Sequence, residues 1–201
     1  MYVASVQYFV AQVLVALRFS PRYSLARNTI SDLGITRCAA SNGRYVCSPA
    51  HSLMNASFVV LGLTIILGSA LIYPAFNPGR GTAAGFVLFA IGGGGVVMVG
   101  VFPEDAVPGL HGVGAALPFL VGNIGLVLLG WSLTVPWWLR LYTTLSGGVA
   151  LFALVLYASN TFLGLGEGGI ERVVAYPQTA WQIVVGVYAL TRHTRPTVLV
   201  G

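Results

Sequence analysis

The sequence predicts an all-α fold, a polytopic transmembrane bundle of six helices with a short disulfide-closed hairpin in the first loop. Three observations predict it. Charged residues make up only 7% of the chain and hydrophobic ones 56%, with a mean hydropathy of +0.84. Apolar stretches of about 20 residues, the length that crosses a bilayer, recur between Pro, Gly and Asn breaks. Two cysteines bracket an Asn-Gly pair in the first break. A water-soluble domain of 201 residues needs far more charge to clothe its surface. Lipid is therefore the solvent for most of the outside. The length is used up by six spans and short loops, so residues 1–201 read as a single integral membrane domain.

Span one covers residues 2–19. It has neither a basic leader region nor a small-residue cleavage site and reads as a retained helix. Span two covers 51–76, with Ser48 placed to cap it and Pro49 suited to a first turn. Asn77-Pro78-Gly79 is a tight turn. Span three covers 82–102 and stops at Pro103. Span four covers 110–134, and Pro136-Trp137-Trp138-Leu139-Arg140 is an interfacial turn with an aromatic anchor. Span five covers 137–162. A turn from Gly164 to Gly169 leads into span six, 170–191, and a short tail carries Arg192, His193 and Arg195. Span three contains Gly92-Gly93-Gly94-Gly95 and Gly100, with Gly81 and Gly85 four apart. In lipid such small residues let a neighbouring backbone approach closely, so this face is expected to pack tightly against other helices; a ligand groove is the sharper alternative.

All ten basic residues are Arg. No basic run, zinc-ligand spacing or Gly-rich phosphate loop points to nucleic acid, and interfacial arginines account for the net charge of +5. With six spans, loops one, three and five share a side. That side carries six arginines and all five acids, and the other carries four arginines and no acid. A plain Arg count places the first loop inside. Acid–Arg pairing and the cysteines argue the opposite: a cell-membrane protein with both termini cytoplasmic and loop one extracytoplasmic.

The cysteine argument starts from Asn42-Gly43, the strongest two-residue hairpin signal. Counting outward, Ser41 faces Arg44, Ala40 faces Tyr45, Ala39 faces Val46 and Cys38 faces Cys47. The last pair falls at a non-hydrogen-bonded position, where Cα atoms lie ~4.5 Å apart, within disulfide reach. A Cys38–Cys47 disulfide is expected, in keeping with an oxidising compartment.

Polar residues gather on that same side. Loop one reads Asn28-Thr29-Ile30-Ser31-Asp32-Leu33-Gly34, loop three Phe102-Pro103-Glu104-Asp105 leading to His111, and loop five Gly169-Ile170-Glu171-Arg172. His51 and Asn55 share a helix face at the start of span two, and Glu171, Gln178 and Gln182 share a stripe of span six. Asn160 lies at the end of span five. Polar groups avoid hydrocarbon and face the bundle interior. The candidate pocket residues are therefore Ser31, Asp32, His51, Asn55, Glu104, Asp105, His111, Asn160, Glu171, Arg172 and Gln178.

The run Ile30-Ser31-Asp32-Leu33-Gly34, then Phe102-Pro103-Glu104-Asp105 and His111, then Glu171-Arg172, resembles domain-of-unknown-function family 998, a prokaryotic family of multi-span membrane proteins. The resemblance extends over nearly the whole chain. It implies a helical bundle with the Ser-Asp, Pro-Glu-Asp and His elements near one another, and it supplies no reaction. The Cys-bounded insert between Gly34 and Ser48 is an addition to the usual pattern.

Three functions suit these residues. In the first, the pocket binds or transports a lipid or other amphiphile, head group in the polar cluster and tail between helices. In the second, Asp32, His51, His111 and Glu104 hold a divalent metal such as zinc for intramembrane hydrolysis, although no paired-ligand spacing is present. In the third, the chain is a non-catalytic subunit or assembly factor docking through its hairpin. Membrane lipids are the expected partners, with a second copy or another membrane protein beside them. Ser31-Asp32 lacks a nucleophile elbow, so nucleophilic catalysis fits poorly. Each residue also has a structural reading: Asp32 capping a short helix or pairing with Arg27, Glu104 and Asp105 favouring the start of span four, His111 donating to a loop carbonyl, Glu171-Arg172 ordering a junction.

Overall fold

The computed structural model describes residues 1–41, 44–76 and 79–193. The Asn42-Gly43 and Asn77-Pro78 turns, Arg195 and the side chains of Arg192 and His193 lie outside the described residues. A 3₁₀ turn, Tyr2–Ser5, leads into α1, Val6–Ala16. Loop one holds a second 3₁₀ turn, Ser31–Gly34, and a hairpin of β1, Ala39–Ser41, and β2, Arg44–Val46. Next come α2, His51–Ile72, and α3, Arg80–Val101. α4, Pro108–Ala116, runs through a π-helical turn, Leu117–Gly122, into α5, Asn123–Ser132. α6, Trp137–Ala158, and α7, Gly166–His193, complete the chain.

Four helical stretches are apolar and long enough to cross the ~30 Å hydrocarbon layer: 51–75, 80–101, 108–132 and 137–158. The chain is a membrane protein on that composition. The first helical stretch, Tyr2–Ala16, is shorter. α7 is long enough but carries Pro177, Gln178 and Gln182 along its middle. The fourth stretch is not regular, because Pro118 has no N–H to give its preceding turn, and the backbone widens to a π turn there. Two local expectations change. Ser48 does not cap α2 with its side chain; its hydroxyl donates to the Leu33 carbonyl at 2.6 Å. α7 begins inside the glycine run, at Gly166, so the turn is earlier, with Asn160, Leu163, Gly164 and Gly166 all at positive φ.

α3 is the central helix. One face lies on α2 and the other on α4 and α5; α6 then packs on α5, α7 on α6, and α1 on α2. Its glycines explain both contacts. A Cβ on Gly93 would come within 2.8 Å of Ile65 and 2.9 Å of the Gly62 carbonyl, on α2. A Cβ on Gly92 would meet Gly122 and Pro118, and one on Gly95 would collide with the Gly114 carbonyl and Leu117, on the opposite side. Gly81 and Gly85 face Ser132 and Leu129 in the same manner. The glycine run is thus a two-sided packing device, as small-residue interfaces in lipid are.

The N-terminal turn closes the bundle against α7. Tyr2 is buried between Phe89 and Trp181, with ring centroids 6.3 and 5.8 Å away, and its hydroxyl bonds Ser69 at 2.8 Å. Ser5 donates to Gln182 Oε1, and Tyr176 donates to Gln12 Oε1, each at 2.8 Å. Polar groups at this depth find one another because hydrocarbon offers no partner.

The hairpin has the register expected: Ala39 opposite Val46, Ala40 opposite Tyr45, Ser41 opposite Arg44. Cys38 and Cys47 form a disulfide across a Cα separation of 4.2 Å. The Ser20 N–H donates to the Cys47 carbonyl at 3.0 Å, which ties the hairpin to the start of loop one.

The two faces of α3 make a sharp test. Gly95→Ala forces a methyl into the Gly114 backbone, whereas a Cβ at Gly94 meets nothing within 4 Å. Gly95→Ala is expected to cost about 1–3 kcal/mol of stability, the usual range for overpacking, and Gly94→Ala to leave stability unchanged. Thermal unfolding in one detergent, followed by size-exclusion survival, separates the two.

Candidate functional site

Loops one, three and five meet at one end of the bundle, and the backbone of loop one lies between the others. An irregular loop exposes N–H and C=O groups that need partners once water is thinned out. The partners come from elsewhere in the chain. Arg172, only 7% exposed, sends Nη1 to the carbonyls of Leu25 and Asn28 at 3.0 and 2.9 Å and to that of Gly168 at 2.6 Å. Its Nη2 donates to the Tyr23 hydroxyl, and the guanidinium lies over the Tyr23 ring, 5.4 Å from the centroid. Tyr23 in turn donates to the Thr29 carbonyl at 2.6 Å; burial pushes its phenol well above the ordinary range, against a smaller downward pull from Arg172. Gly168 presses directly on the Asn28 carbonyl and donates its N–H to Ala26 at 3.0 Å, a contact no side chain would allow. Glu171, 4% exposed, accepts the Ile30 N–H at 2.5 Å.

Asp32 serves the same loop. Its Oδ2 accepts from the Asn28 amide at 2.8 Å and the Thr29 N–H at 3.2 Å, while its own N–H donates to Thr29 Oγ1 at 3.0 Å. This reciprocal exchange is the capping-box pattern, Thr-x-x-Asp, and it was readable in the sequence as a spacing. Asn55 donates to the Gly34 carbonyl at 2.8 Å, and His51 Nδ1 pairs with the Ser48 carbonyl at 2.9 Å. Asp105 accepts the N–H of Thr36 at 2.9 Å, the Thr36 hydroxyl at 2.9 Å and the Arg37 N–H at 2.9 Å. Burial alone would raise the Asp105 carboxyl; the donors from Thr36 and Arg37 outweigh it and hold the group below its usual value. Asn160 is an exposed turn residue at φ 55°.

What remains surrounds a cavity of about 350 Å³. Ser31, Glu104, His111 and Glu171 line its polar end, with Thr29 and Tyr157 beside them. Phe119, Leu154 and Ala116 line its apolar end, between α4 with its π turn and α6. A second, smaller space of about 40 Å³, room for water, shares Ser31, Phe119 and Glu171 with the first and is lined also by Gln178 and Thr179. Gln178 Oε1 is buried there without a hydrogen-bond partner. Of the eleven residues singled out by sequence, Ser31, Glu104, His111 and Glu171 line the larger space and Gln178 the smaller one. Asp32, His51, Asn55, Asp105 and Arg172 instead hold loop backbone. Tyr157 and Leu154, three apart on one face of α6, escaped notice because a Tyr in an apolar helix carries no signal of its own.

The geometry also pairs Ser31 with His111. Ser31 Oγ lies 2.9 Å from His111 Nε2, and His111 Nδ1 lies 2.9 Å from the Phe102 carbonyl. A carbonyl can only accept, so Nδ1 carries the proton; in the neutral ring Nε2 is then the acceptor and Ser31 the donor. One ring therefore meets the Phe102 carbonyl on one side and Ser31 and the cavity on the other.

The metal reading does not fit. Among the described residues no three His, Cys, Asp or Glu side chains gather as a ligand set. Of the four residues expected to hold a metal, Glu104 and His111 line the cavity, whereas His51 and Asp32 are not among its lining residues.

A family model for proteins of unknown function, DUF998, matches residues 2–188, and the chain belongs to that family. Searches of curated proteins and of solved structures matched nothing.

Asp105 makes the clamp pH-dependent in a defined direction. Because its folded-state affinity for protons is lowered, its contribution is present above the ordinary carboxylate value of ~3.9 and is lost as pH falls through the folded value. The protection of the Thr36 and Arg37 amides against hydrogen exchange, taken relative to their intrinsic rates at each pH, should therefore fall in acid, and Asp105→Asn should bring that loss of protection to neutral pH.

Proposed function

We propose that this DUF998 member is a six-span membrane protein that binds an amphiphile, with the polar group among Ser31, Glu104, His111 and Glu171 and the apolar chain against Phe119 and Leu154. One observation carries the reading. The cavity grades from hydroxyl, imidazole and carboxylate groups at the loop end to aromatic and aliphatic walls between α4 and α6. Sites for small ligands share this make-up, a mostly apolar concavity with a few convergent polar groups. Gln178 adds a buried acceptor that a ligand hydroxyl or a water would satisfy.

The charge of the lining narrows the ligand. It contains two carboxyl groups, those of Glu104 and Glu171, and, among the described residues, no arginine; the Arg172 guanidinium is turned to loop carbonyls. An anionic head group would find no counterion, so the polar part of the ligand is uncharged or cationic. The disulfide hairpin favours placing this end outside the cytoplasm, with both termini inside.

Native mass spectrometry of protein extracted in mild detergent should show a retained neutral or cationic amphiphile. Leu154→Trp, which fills the apolar end, should lose it and keep the fold. Protein that carries no such molecule, and whose melting temperature ignores added lipids, would remove the reading. For the orientation, a fluorescent protein fused to the C-terminus should fluoresce in cells; a dark, fully expressed fusion would reverse it.

A further inference from the structure

We infer that Ser31 and His111 form a nucleophile–base dyad that hydrolyses a carboxylic ester of the amphiphile held in this cavity, an inference that rests on the pocket reading above. Three features carry it. Ser31 Oγ and His111 Nε2 are 2.9 Å apart, the separation at which a hydroxyl proton passes to an imidazole. The Phe102 carbonyl fixes the opposite ring nitrogen as the protonated one, so Nε2 is left as the base. This is the orienting role that a third group plays in catalytic triads. Ser31 lines both the larger cavity and the smaller one beside it, so it stands at the wall of the space where the ligand would lie.

The capping exchange between Thr29 and Asp32, together with the Ile30–Glu171 bond, fixes the backbone on both sides of Ser31 and holds its hydroxyl in place. Ser31 and His111 stand 80 positions apart in the chain, one on the 3₁₀ turn of loop one and the other in the first turn of α4, which is why no local serine motif announces them.

The chemistry balances with water as the only co-reactant. Ser31 Oγ attacks the ester carbonyl carbon as its proton passes to His111 Nε2. The tetrahedral adduct collapses, the bond from carbon to the alcohol oxygen breaks, and the leaving alkoxide takes the proton from Nε2. Water then attacks the acyl-serine, giving its proton to Nε2, and the acyl–Oγ bond breaks as that proton returns to Ser31. The net result is one ester and one water giving one acid and one alcohol. The cavity predicts esters with an acyl chain long enough to reach Phe119 and Leu154 and with no anionic head group.

The test uses the full chain in detergent or nanodiscs with a fluorophosphonate probe, and with p-nitrophenyl esters of two, eight and sixteen carbons. Trypsin cuts after Arg27 and Arg37, and Ser31 is the only serine in the resulting peptide. The adduct should map to that peptide in the unmodified protein. Octanoyl or palmitoyl ester should be hydrolysed faster than acetyl ester. Ser31→Ala should abolish both signals. His111→Ala should reduce both by about 100-fold or more, the share a general base supplies. An unchanged melting temperature and an unchanged size-exclusion profile in Ser31→Ala would show that the variant is folded. If the unmodified protein takes no adduct on Ser31, or takes it elsewhere, and does not cleave the esters, the dyad is overturned. Amphiphile retained by such inert protein would leave the binding reading standing; an adduct on Ser31 with no preference for the longer esters would support the nucleophile and remove the amphiphile as its ligand.

Discussion

The arrangement depends on supplying partners to one irregular stretch of backbone. Loop one runs from the end of α1 to the start of α2 and crosses the end of the bundle, where its amides and carbonyls are shielded by three neighbouring segments. Arg172 answers two of its carbonyls, Glu171 an amide, Asp105 two amides, and Asn55 and Ser48 one carbonyl each. A buried guanidinium costs several kcal/mol unless its donors are met, and here its Nη groups meet carbonyls and a phenol rather than a carboxylate. The loop and Glu171-Arg172 in the first turns of α7 therefore stabilise each other. Removing either would leave the other with buried groups unsatisfied.

This mutual satisfaction changes what the polar end of the molecule means. A concentration of acids and amides at one end of an apolar bundle reads at first as a binding site. Much of it is scaffolding, and the scaffold has a consequence for chemistry. It fixes the 3₁₀ turn carrying Ser31 from both sides, so the serine meets His111 with little freedom to be lost on reaction. The groups left facing the cavity are few and are differently disposed from those spent on the loop. Function at such a site is carried by what remains after backbone accounting, not by the whole polar cluster.

The same economy governs the apolar part. α3 brings α2 to one side and α4 to the other at distances only glycine permits, and this close packing places α4 so that its first turn carries His111 up to loop one. The π turn at Pro118 interrupts the same helix, and its Phe119 borders the cavity. Packing and site are therefore linked through one irregular helix. A change that pushes α3 from α4 should be felt at the serine–histidine pair as well as in stability.

By itself the sequence determined the membrane class, the helical passages to within a few residues, the hairpin register and the disulfide. Composition, period and turn chemistry are local, and each of these features is written within one short stretch. Only the tertiary structure decided which polar residues face backbone and which face the cavity. Asp32 and Ser31 are adjacent in the chain, yet one is consumed by Thr29 and Asn28 while the other meets a histidine far along it. That division depends on a small difference in direction at a 3₁₀ turn and on where α4 and α7 set their first turns. Such long-range placement comes from the packing of whole helices, and no pattern within a single segment encodes it.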